Sequence, residues 1–259
     1  MPTALILGAA SDMAIAIAEK FASKGFNIQL AARNVSRLEA LQSDLAIKYT
    51  SRVSIHEFDA LAYDTHESFF NELEPKPDVT ICVFGLLGEN EKAAEDWMQA
   101  SRIINTNYTG AVSILNIIAR YYASQRQGVI AGISSVAGER GRQSNYFYGS
   151  AKAGFTAYLS GLRNSLYHYG VHVATIQPGF VYTKMTENIK TPKLLTAKPE
   201  DVAEAVYSAV VNKKNVVFVK WFWRYIMLVV KNIPEFIFKK LKNHMKKASI
   251  IQHTSFIFC

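Results

Sequence analysis

Short apolar runs alternate with segments of helical periodicity along most of this chain. The pattern predicts strands at 3–7, 27–31, 53–57, 79–84, 128–133, 171–176 and 215–219. It predicts helices at 12–24, 35–49, 64–73, 97–123 and 199–212, and another around residue 148 that ends near 169. Unbroken apolar runs are typical of strands buried on both faces, and strands that alternate with helices pair in parallel. The sequence therefore predicts an α/β fold, a doubly wound parallel sheet of seven strands covered by helices on both faces.

The size of the chain fits one compact domain. With 259 residues, 49% of them hydrophobic and 19% charged, it can bury a sizeable core. Its two cysteines, Cys82 and Cys259, form neither a disulfide framework nor a metal-binding spacing, so we expect no metal. The first residues resemble a buried strand and not a signal peptide. We expect a cytoplasmic protein with a domain at 1–219 and a helical tail at 220–259.

A serine, a tyrosine and a lysine stand at a spacing that suits proton transfer. Tyr148 and Lys152 are four residues apart, and Ser135 precedes Tyr148 by thirteen residues. Helix positions i and i+4 share one face, so the Lys152 ammonium should lie near the Tyr148 phenol. A phenol has a pKa near ~10, and a nearby cation favours the phenolate and lowers that pKa. Ser135 follows a predicted strand and can hydrogen-bond the same substrate oxygen.

Taken alone, a Tyr and a Lys at this spacing also occur on ordinary solvated helices. Here they follow a Gly-bearing first turn and precede a Pro-Gly turn, and this order resembles the short-chain dehydrogenase/reductase family over residues 1 to about 220. The resemblance implies a Rossmann-like fold and hydride transfer between a nicotinamide cofactor and a carbon bearing oxygen. It implies that Tyr148 exchanges the proton, that Lys152 lowers the tyrosine pKa and holds the nicotinamide ribose, and that Ser135 orients the oxygen.

A fourth catalytic residue is implied by the same resemblance. Asn107, in the run Asn-Thr-Asn-Tyr-Thr-Gly, matches the asparagine that holds a water in a proton relay behind the lysine. Asn105 is the less favoured alternative, because the Asn-x-x-Gly spacing selects Asn107.

The first turn departs from the family pattern Thr-Gly-x-x-x-Gly-x-Gly. Gly8 is the one glycine retained, and Asp12 replaces a glycine that lets the backbone approach phosphate. A carboxylate beside a diphosphate weakens binding unless it points away or caps the helix. We expect an altered but functional phosphate turn that includes Gly8, Ser11, Asp12 and Met13. A degenerate turn with weak cofactor affinity is the alternative.

The end of the second strand indicates the cofactor. Arg33 follows Ala32 where enzymes that select NAD carry an acidic residue, and a guanidinium suits a 2′-phosphate. The sequence therefore predicts NADP(H). Arg37 either assists from the next helix turn or is an ordinary exposed charge. By resemblance Asp59 hydrogen-bonds the adenine amine, or else it is a plain helix cap.

Two later turns complete the cofactor site that the resemblance implies. Gly85 is retained from the family's Asn-Asn-Ala-Gly, although the neighbouring polar residues are lost. Pro178 and Gly179 form the turn that packs along the nicotinamide, and Val181 and Thr183 meet its carboxamide. An ordinary surface turn is the alternative at 178–179.

The C-terminal tail holds the whole excess of positive charge. Residues 1–211 carry 19 Lys and Arg against 20 Asp and Glu, whereas residues 212–259 carry 10 against 1. At helical spacing Lys220, Arg224 and Lys231 form one stripe, and aromatic and aliphatic residues fill the remainder. A second basic amphipathic segment follows Pro234 and extends to Ala248.

Such a tail resembles an anchor that lies on the inner face of an anionic membrane. It has no apolar stretch of ~20 residues, so it does not predict a spanning helix. The alternative is that it packs on the domain or on a partner subunit with its lysines solvated. No recognised nucleic-acid-binding fold accompanies the charge, so we do not expect nucleic acid as a partner.

The substrate and the assembly are less constrained. A phosphorylated cofactor favours carbonyl reduction, and some similarity to polyprenyl-phosphate-linked keto-sugar reductases suggests a lipidic or lipid-linked substrate. The loop at 184–196 is short and basic. A non-catalytic NADP(H)-sensing protein on the same fold is the alternative function. A homodimer or tetramer is expected through the helices at 97–123 and around 148, and the candidate contact residues, each of which also suits the core, are Ile114, Ile117, Ile118, Phe155, Tyr158 and Leu162.

Overall fold

The computed structural model describes residues 1–183 and 192–241. It contains a parallel sheet of seven strands in the order β3-β2-β1-β4-β5-β6-β9, which confirms the predicted doubly wound fold. The strands are β1 Thr3–Leu7, β2 Asn27–Ala32, β3 Val53–Glu57, β4 Val79–Cys82, β5 Val129–Ile133, β6 His172–Gln177 and β9 Val216–Phe218. Two further short strands, β7 Phe180–Val181 and β8 Thr196–Ala197, pair with each other outside this sheet.

Helices cover both faces of the sheet. They are α1 Asp12–Ala22, α2 Glu39–Tyr49, α3 His66–Glu72, α4 Asn90–Glu95, α5 Trp97–Ile104, α6 Gly110–Gln125, α7 Tyr146–Leu166, α8 Pro199–Val211, α9 Phe222–Asn232 and α10 Glu235–Phe238. The alternation of side chains along β1 divides the core, because Ala4 and Ile6 face α1, α2 and α8 while Leu5 and Leu7 face α3, α6 and α7. All four side chains are fully buried. The central strand is therefore apolar on both faces, as a covered parallel sheet requires.

The strand order reverses between β1 and β4. The chain moves outward from β1 to β2 and β3, and then returns to the other side of β1 through β4. In doubly wound sheets a ligand crevice forms at the carboxyl ends of the strands where the order reverses. Gly8 follows β1 and Gly85 follows the β4 segment, so both glycines lie at this crevice.

Some predicted elements differ in detail from the observed ones. The helix predicted at 97–123 is α5 and α6 joined by a π-helical turn at Asn105–Thr109. The segment predicted as a helix from residue 35 begins with a 3₁₀ turn, Val35–Leu38, before α2. Helix α4 and the β7–β8 pair were not predicted. These elements are too short to produce a periodic pattern of their own.

The charge stripe predicted for the tail is wrong at Lys220. This residue has a positive φ of 64° and precedes α9, which begins at Phe222. Lys220 binds Asp201 at 3.0 Å, and Lys231 binds Glu139 at 2.8 Å. Two of the three cations are therefore paired with the domain, so they do not form a separate solvated stripe.

Three of the six residues considered for subunit contact belong to the core of the subunit. Ile114, Ile118 and Phe155 are almost fully buried within it. Ile117, Tyr158 and Leu162 keep part of their surface exposed. The predicted substrate loop at 184–196 and the second basic segment lie partly outside the described residues.

Candidate active site

Tyr148 and Lys152 share one buried face in the first two turns of α7. Tyr148 is 2% exposed and Lys152 is 3% exposed. The Lys152 ammonium lies 5.8 Å from the centre of the Tyr148 ring and donates to the main-chain oxygen of Ile133 at 2.9 Å. Ile133 ends β5, so this hydrogen bond holds the lysine at the carboxyl end of the sheet. The predicted proximity of the two side chains is present in the fold.

Ser135 stands just beyond the same strand. Its backbone is extended, with φ −164° and ψ 151°, and its Oγ accepts a hydrogen bond from the Ala137 amide at 3.1 Å. A hydroxyl that accepts at its oxygen still has a proton to donate. The preceding residue, Ser134, binds the Lys152 main-chain oxygen at 3.1 Å and thereby fastens this loop to α7. The sequence pattern did not single out Ser134.

Asn107 occupies the π-helical turn between α5 and α6. Its Oδ1 accepts from the Leu86 amide at 3.2 Å, and its Nδ2 donates to the main-chain oxygens of Leu86 and of Ile103. The carboxamide therefore joins the loop after β4 to the helix. Asn105, the alternative, donates to Ser101 on its own helix at 3.0 Å. π-helical turns often occur at functional sites.

Gly85 brings the lysine and the asparagine together. A methyl group at Gly85 would lie 2.8 Å from Asn107 Oδ1 and 3.4 Å from Lys152 Nζ. A side chain at this position would therefore fill the space between the two polar groups. Gly8 is constrained in a similar way, because its φ is +91° and a methyl group there would lie 2.7 Å from Phe84.

The first turn leads directly into α1. Ser11 is the N-cap of this helix, and its side chain accepts from the Ala14 amide at 3.3 Å. Asp12 lies in the first turn, where a carboxylate interacts favourably with the helix dipole. Met13 is buried against the core. The missing glycines thus accompany a regular helix start, and the turn that precedes it is formed at Gly8.

The residues expected at the adenosine end lie after β2 and β3. Arg33 and Arg37 are both exposed. The Asp59 carboxylate accepts from the Leu61 amide at 3.0 Å, which makes a local turn and not a cap of α3. His66 was not predicted from the sequence, because a single histidine carries no motif. It is fully buried and binds the Asp59 main-chain oxygen at 2.9 Å.

The tautomer of His66 follows from its partners. A carbonyl oxygen can only accept, so Nε2 carries the proton and Nδ1 accepts from the Ser113 hydroxyl at 2.9 Å. Burial lowers the pKa of His66, and hydrogen bonding to Asp59 opposes that shift. A neutral imidazole therefore braces the Asp59 loop against α6.

The Pro178–Gly179 turn contacts the serine loop. The Val136 amide, next to Ser135, donates to the Pro178 main-chain oxygen at 3.0 Å. Val181 is buried, and Thr183 is partly exposed and ends the first described range. The sequence did not predict the residue that lies against Gly179. It is Trp223 of α9, which is 3% exposed and whose indole donates to the Leu195 main-chain oxygen at 3.2 Å.

Helix α9 is docked onto the domain beside this turn. The guanidinium of Arg140 donates to the main-chain oxygens of Val230, Lys231 and Ile233 at the end of the helix. It also binds Glu235 at 2.9 Å and lies 3.7 Å from the centre of the Phe238 ring. One arginine from the loop after Ser135 thus caps α9 and positions α10.

The outer surface of α9, α10 and the residues beside them is apolar and basic. We call this surface the outer face. Its exposed residues are Trp221, Arg224, Tyr225, Leu228, Val229, Phe236, Ile237, Lys239, Lys240 and Leu241. A groove of about 470 Å³ runs along α9, lined by Glu139, Phe218, Arg224, Tyr225, Met227, Leu228 and Lys231. Within residues 1–183 and 192–241, no helix is long and apolar enough to cross a membrane.

The described part of the chain contains no cluster of side chains suited to bind a metal ion. Across the same two ranges, no group of three or more His, Cys, Asp or Glu side chains could hold a metal ion. Cys82 is buried, and burial raises the pKa of its thiol to about 12. This thiol is therefore unreactive at neutral pH.

Comparisons with known proteins agree with this geometry. The family model for short chain dehydrogenases matches residues 2–194. An oxidoreductase of Mycobacterium tuberculosis, described as uncharacterized, is 35% identical over 242 residues, which cover 92% of this chain and 96% of that protein. A short-chain dehydrogenase from Sphingobium yanoikuyae in complex with NADPH has a TM-score of 0.80 at 22% identity and covers 91% of this chain and 97% of its own. Actinorhodin polyketide ketoreductase with NADPH has a TM-score of 0.76 at 19% identity, with 86% and 97% covered.

A Rossmann-like sheet with a Ser, a Tyr and a Lys at its carboxyl edge defines a nicotinamide-dependent class of oxidoreductase. This chain belongs to the short-chain dehydrogenase family, as its sequence motifs predicted.

Proposed function

We propose that this protein is an NADP(H)-dependent reductase that converts a carbonyl group into an alcohol. The observation that carries the proposal is the burial of Tyr148 and Lys152 on one face of α7, beside Ser135 at the end of β5. The nicotinamide, when bound, supplies the hydride. The protein supplies the proton and the groups that hold the substrate oxygen.

Each side chain of the trio has a distinct role. Ser135 donates a hydrogen bond to the carbonyl oxygen and orients it, while Tyr148 transfers the one proton that this oxygen receives. The Lys152 ammonium stabilises the negative charge that develops on the phenol oxygen. Since Lys152 is anchored on Ile133, it keeps this position without reorganising during the reaction.

Asn107 acts behind the lysine. Its carboxamide already binds three backbone groups. We therefore assign the relay water to the main-chain oxygen of Asn107 itself. The carboxamide serves to keep the loop that contains Leu86 close to Lys152. Asn107 therefore supports proton return to Tyr148 through its backbone and positions the site through its side chain.

The residues present fit a dinucleotide. Gly8 and Gly85 place backbone without a side chain at the crevice, where an added methyl group would collide with Phe84 or Asn107, and α1 directs its N-terminus to the crevice. Ser11, Asp12 and Met13 form the start of that helix, Asp59 serves the adenine, and Pro178, Gly179, Val181 and Thr183 serve the nicotinamide. Arg33 is exposed after β2, where its guanidinium can bind a 2′-phosphate. The NADPH complexes of two structural neighbours support this choice of cofactor.

An apolar carbonyl compound suits the walls of the site. The Tyr148 ring packs in a cluster with Ile103 and Ala137, and Leu86, Leu87 and Phe180 border it while remaining partly exposed. Such walls favour a lipidic or lipid-linked ketone, including a lipid-linked keto-sugar. Carbonyl reduction is the favoured direction.

The outer face supports contact with an anionic membrane surface. Exposed Trp221 and Tyr225 are side chains that prefer the bilayer interface, and Arg224, Lys239 and Lys240 attract acidic head groups. Since Trp223 and Met227 bury the opposite side of α9, the helix would lie flat between domain and membrane. We therefore propose a cytoplasmic protein that binds the inner face of the membrane through this surface.

Assembly into a homodimer or tetramer fits the exposed sides of α6 and α7. Ile117, Tyr158 and Leu162 offer partly exposed apolar surface there. Size-exclusion chromatography with light scattering measures the oligomeric state directly.

A panel of ketones and aldehydes with NADPH tests the proposed activity. We expect turnover by the wild type, and a loss of about 10² to 10⁴ in kcat for Tyr148→Phe, which removes the proton donor. Tyr146→Phe is the matched control, because Tyr146 starts the same helix but is exposed. Equal rates for wild type and Tyr148→Phe, or no turnover with any carbonyl compound, would contradict the proposal and favour a non-catalytic cofactor sensor.

A further inference from the structure

We propose that Trp223 is a positioning residue that holds the Pro178–Gly179 turn against the nicotinamide end of the cofactor. The inference rests on the proposed binding of NADP(H), and it assigns to the C-terminal helix a direct part in the cofactor site. It explains why a tryptophan in a basic tail is buried at the carboxyl edge of the sheet.

The indole lies against the backbone of the turn. A methyl group added at Gly179 would overlap Cε2, Nε1 and Cζ2 of the Trp223 ring. Hydrogen is therefore the one side chain that fits between the turn and the indole. Because the ring fills this space, the turn cannot move toward α9.

Trp223 contacts each of the segments that border the site on this side. It belongs to a buried cluster with Val136, the residue after Ser135, and with Met227. Its ring lies 5.6 Å from that of Phe180, and its Nε1 donates to Leu195. The indole thus packs between the serine loop, the nicotinamide turn and the segment that leads to β8.

The helix that carries the indole is itself fixed to the same loops. Arg140 caps the C-terminal end of α9. Lys231 binds one oxygen of Glu139, and the Gln177 amide donates to the other. Gln177 directly precedes Pro178, so the helix and the turn share one carboxylate. The indole is consequently held in place relative to the turn.

Loss of the indole should weaken the binding of the nicotinamide half of the cofactor. Gly8 and Arg33, at the phosphate and adenosine end, follow β1 and β2, whereas Trp223 packs on residues that follow β5 and β6. A cavity behind Gly179 would let the turn shift away from the nicotinamide, and small misplacements of positioning groups are costly. The adenosine half would keep its contacts.

Binding titrations with two ligands test this role. NADPH contains both halves, and 2′,5′-ADP contains the adenosine half without nicotinamide. By calorimetry we expect Trp223→Ala to raise the Kd for NADPH about tenfold or more and to leave the Kd for 2′,5′-ADP within about twofold. Trp223→Phe keeps an aromatic wall and should raise the Kd for NADPH by less than about threefold. Trp221→Ala is the matched control, since Trp221 is 73% exposed on the same segment, and it should change neither Kd.

The outcomes separate the two claims. If the wild type binds both ligands and Trp223→Ala weakens both equally, or neither, the positioning role is wrong while NADP(H) binding stands. If the wild type binds neither ligand, the proposed cofactor is wrong and the role of Trp223 falls with it. If the alanine variant does not fold, Trp223→Leu replaces it, because leucine retains much of the buried volume. This variant too should weaken the binding of NADPH and leave the binding of 2′,5′-ADP unchanged.

A reciprocal substitution tests the contact itself. Gly179→Ala should weaken NADPH binding because the new methyl group meets the indole. The loss should be smaller when Trp223→Leu is already present, so the two effects on Kd will be non-additive. Independent, multiplicative losses would show that the turn does not rest on the indole.

Discussion

At the residue scale, the polar groups of the site are held by main-chain partners. Lys152 binds Ile133 O, Ser135 accepts from the Ala137 amide, and Asn107 binds Leu86 and Ile103. The sequence could identify these three residues, because each belongs to a spaced motif. It could not reveal that the Asn107 carboxamide hydrogen-bonds backbone groups, because these hydrogen bonds depend on how the loop after β4 folds back.

Arg33 should determine the preference for a phosphorylated cofactor. We expect Arg33→Ala to raise the KM for NADPH about tenfold to a hundredfold and to leave the KM for NADH within about twofold, because the guanidinium pairs with the 2′-phosphate. Arg52→Ala is the control, since this exposed arginine precedes β3 and therefore lies at the amino ends of the strands, away from the crevice at their carboxyl ends. Steady-state kinetics with both cofactors measure the effect, and an equal change for NADPH and NADH would exclude the role.

Three histidines, of which His66 is fully buried and His56 and His172 are partly buried, should make stability depend on pH. Burial lowers the pKa values of His56, His66 and His172 below their ordinary value of 6.5. Below that pH the unfolded chain binds protons that the folded protein does not, so the free energy of unfolding should fall as pH drops from 7 to 5. Urea unfolding at several pH values should show this decline, and His66→Gln should make it shallower.

The exposed His168 provides the control for this measurement. His168→Gln should keep the wild-type dependence on pH. A decline that is equally steep in the His66→Gln protein would show that His66 does not contribute through its burial.

At the element scale, α9 shows what periodicity can and cannot predict. The apolar face of the helix was visible in the sequence, but periodicity does not identify what covers that face. Trp223 and Met227 are covered by the domain, while Trp221, Tyr225 and Leu228 point outward. The decisive contacts come from Arg140 and Glu139, about ninety residues earlier in the chain. No local pattern links residues at that separation.

Arg140 should contribute strongly to the docking of α9. Its side chain is 14% exposed and binds three main-chain oxygens and one carboxylate. We expect Arg140→Ala to lower the free energy of unfolding by about 2 to 3 kcal/mol, which is roughly 4 to 12 °C in Tm, and to speed proteolysis near Pro234. Thermal unfolding and limited proteolysis measure both effects.

Arg120→Ala is the matched control, because Arg120 forms an exposed pair with Glu67. Its effect on the free energy of unfolding should stay below about 0.5 kcal/mol. If both variants unfold at the same temperature as the wild type, α9 is not capped by Arg140.

At the scale of the whole molecule, the sheet was predictable and the position of the tail was not. Every central strand is buried on both faces, so its apolar run is visible in the sequence without knowledge of its neighbours. The tail was predicted as a separate unit from residue 220. In the fold its described part packs on the loops that carry Ser135 and Pro178, which joins a candidate membrane surface to the candidate active site.

Membrane binding should depend on the outer face. A variant with Trp221, Tyr225, Leu228 and Val229 replaced by serine should bind anionic vesicles at least about tenfold more weakly. Its kcat with a water-soluble carbonyl compound should stay within about twofold of wild type, because Trp223 is retained. Vesicle co-sedimentation at low and high salt measures binding. Unchanged sedimentation, or binding that salt does not weaken, would rule out an interfacial and electrostatic contact.

The central claim is hydride transfer to a carbonyl carbon with a proton from Tyr148. Its most direct test is mass spectrometry of the product formed with NADPH in which both hydrogens at C4 of the nicotinamide are replaced by deuterium. We expect the wild type to produce an alcohol that contains one deuterium, and Tyr148→Phe to produce almost none. An alcohol without deuterium, or equal labelled product from both proteins, would contradict the claim.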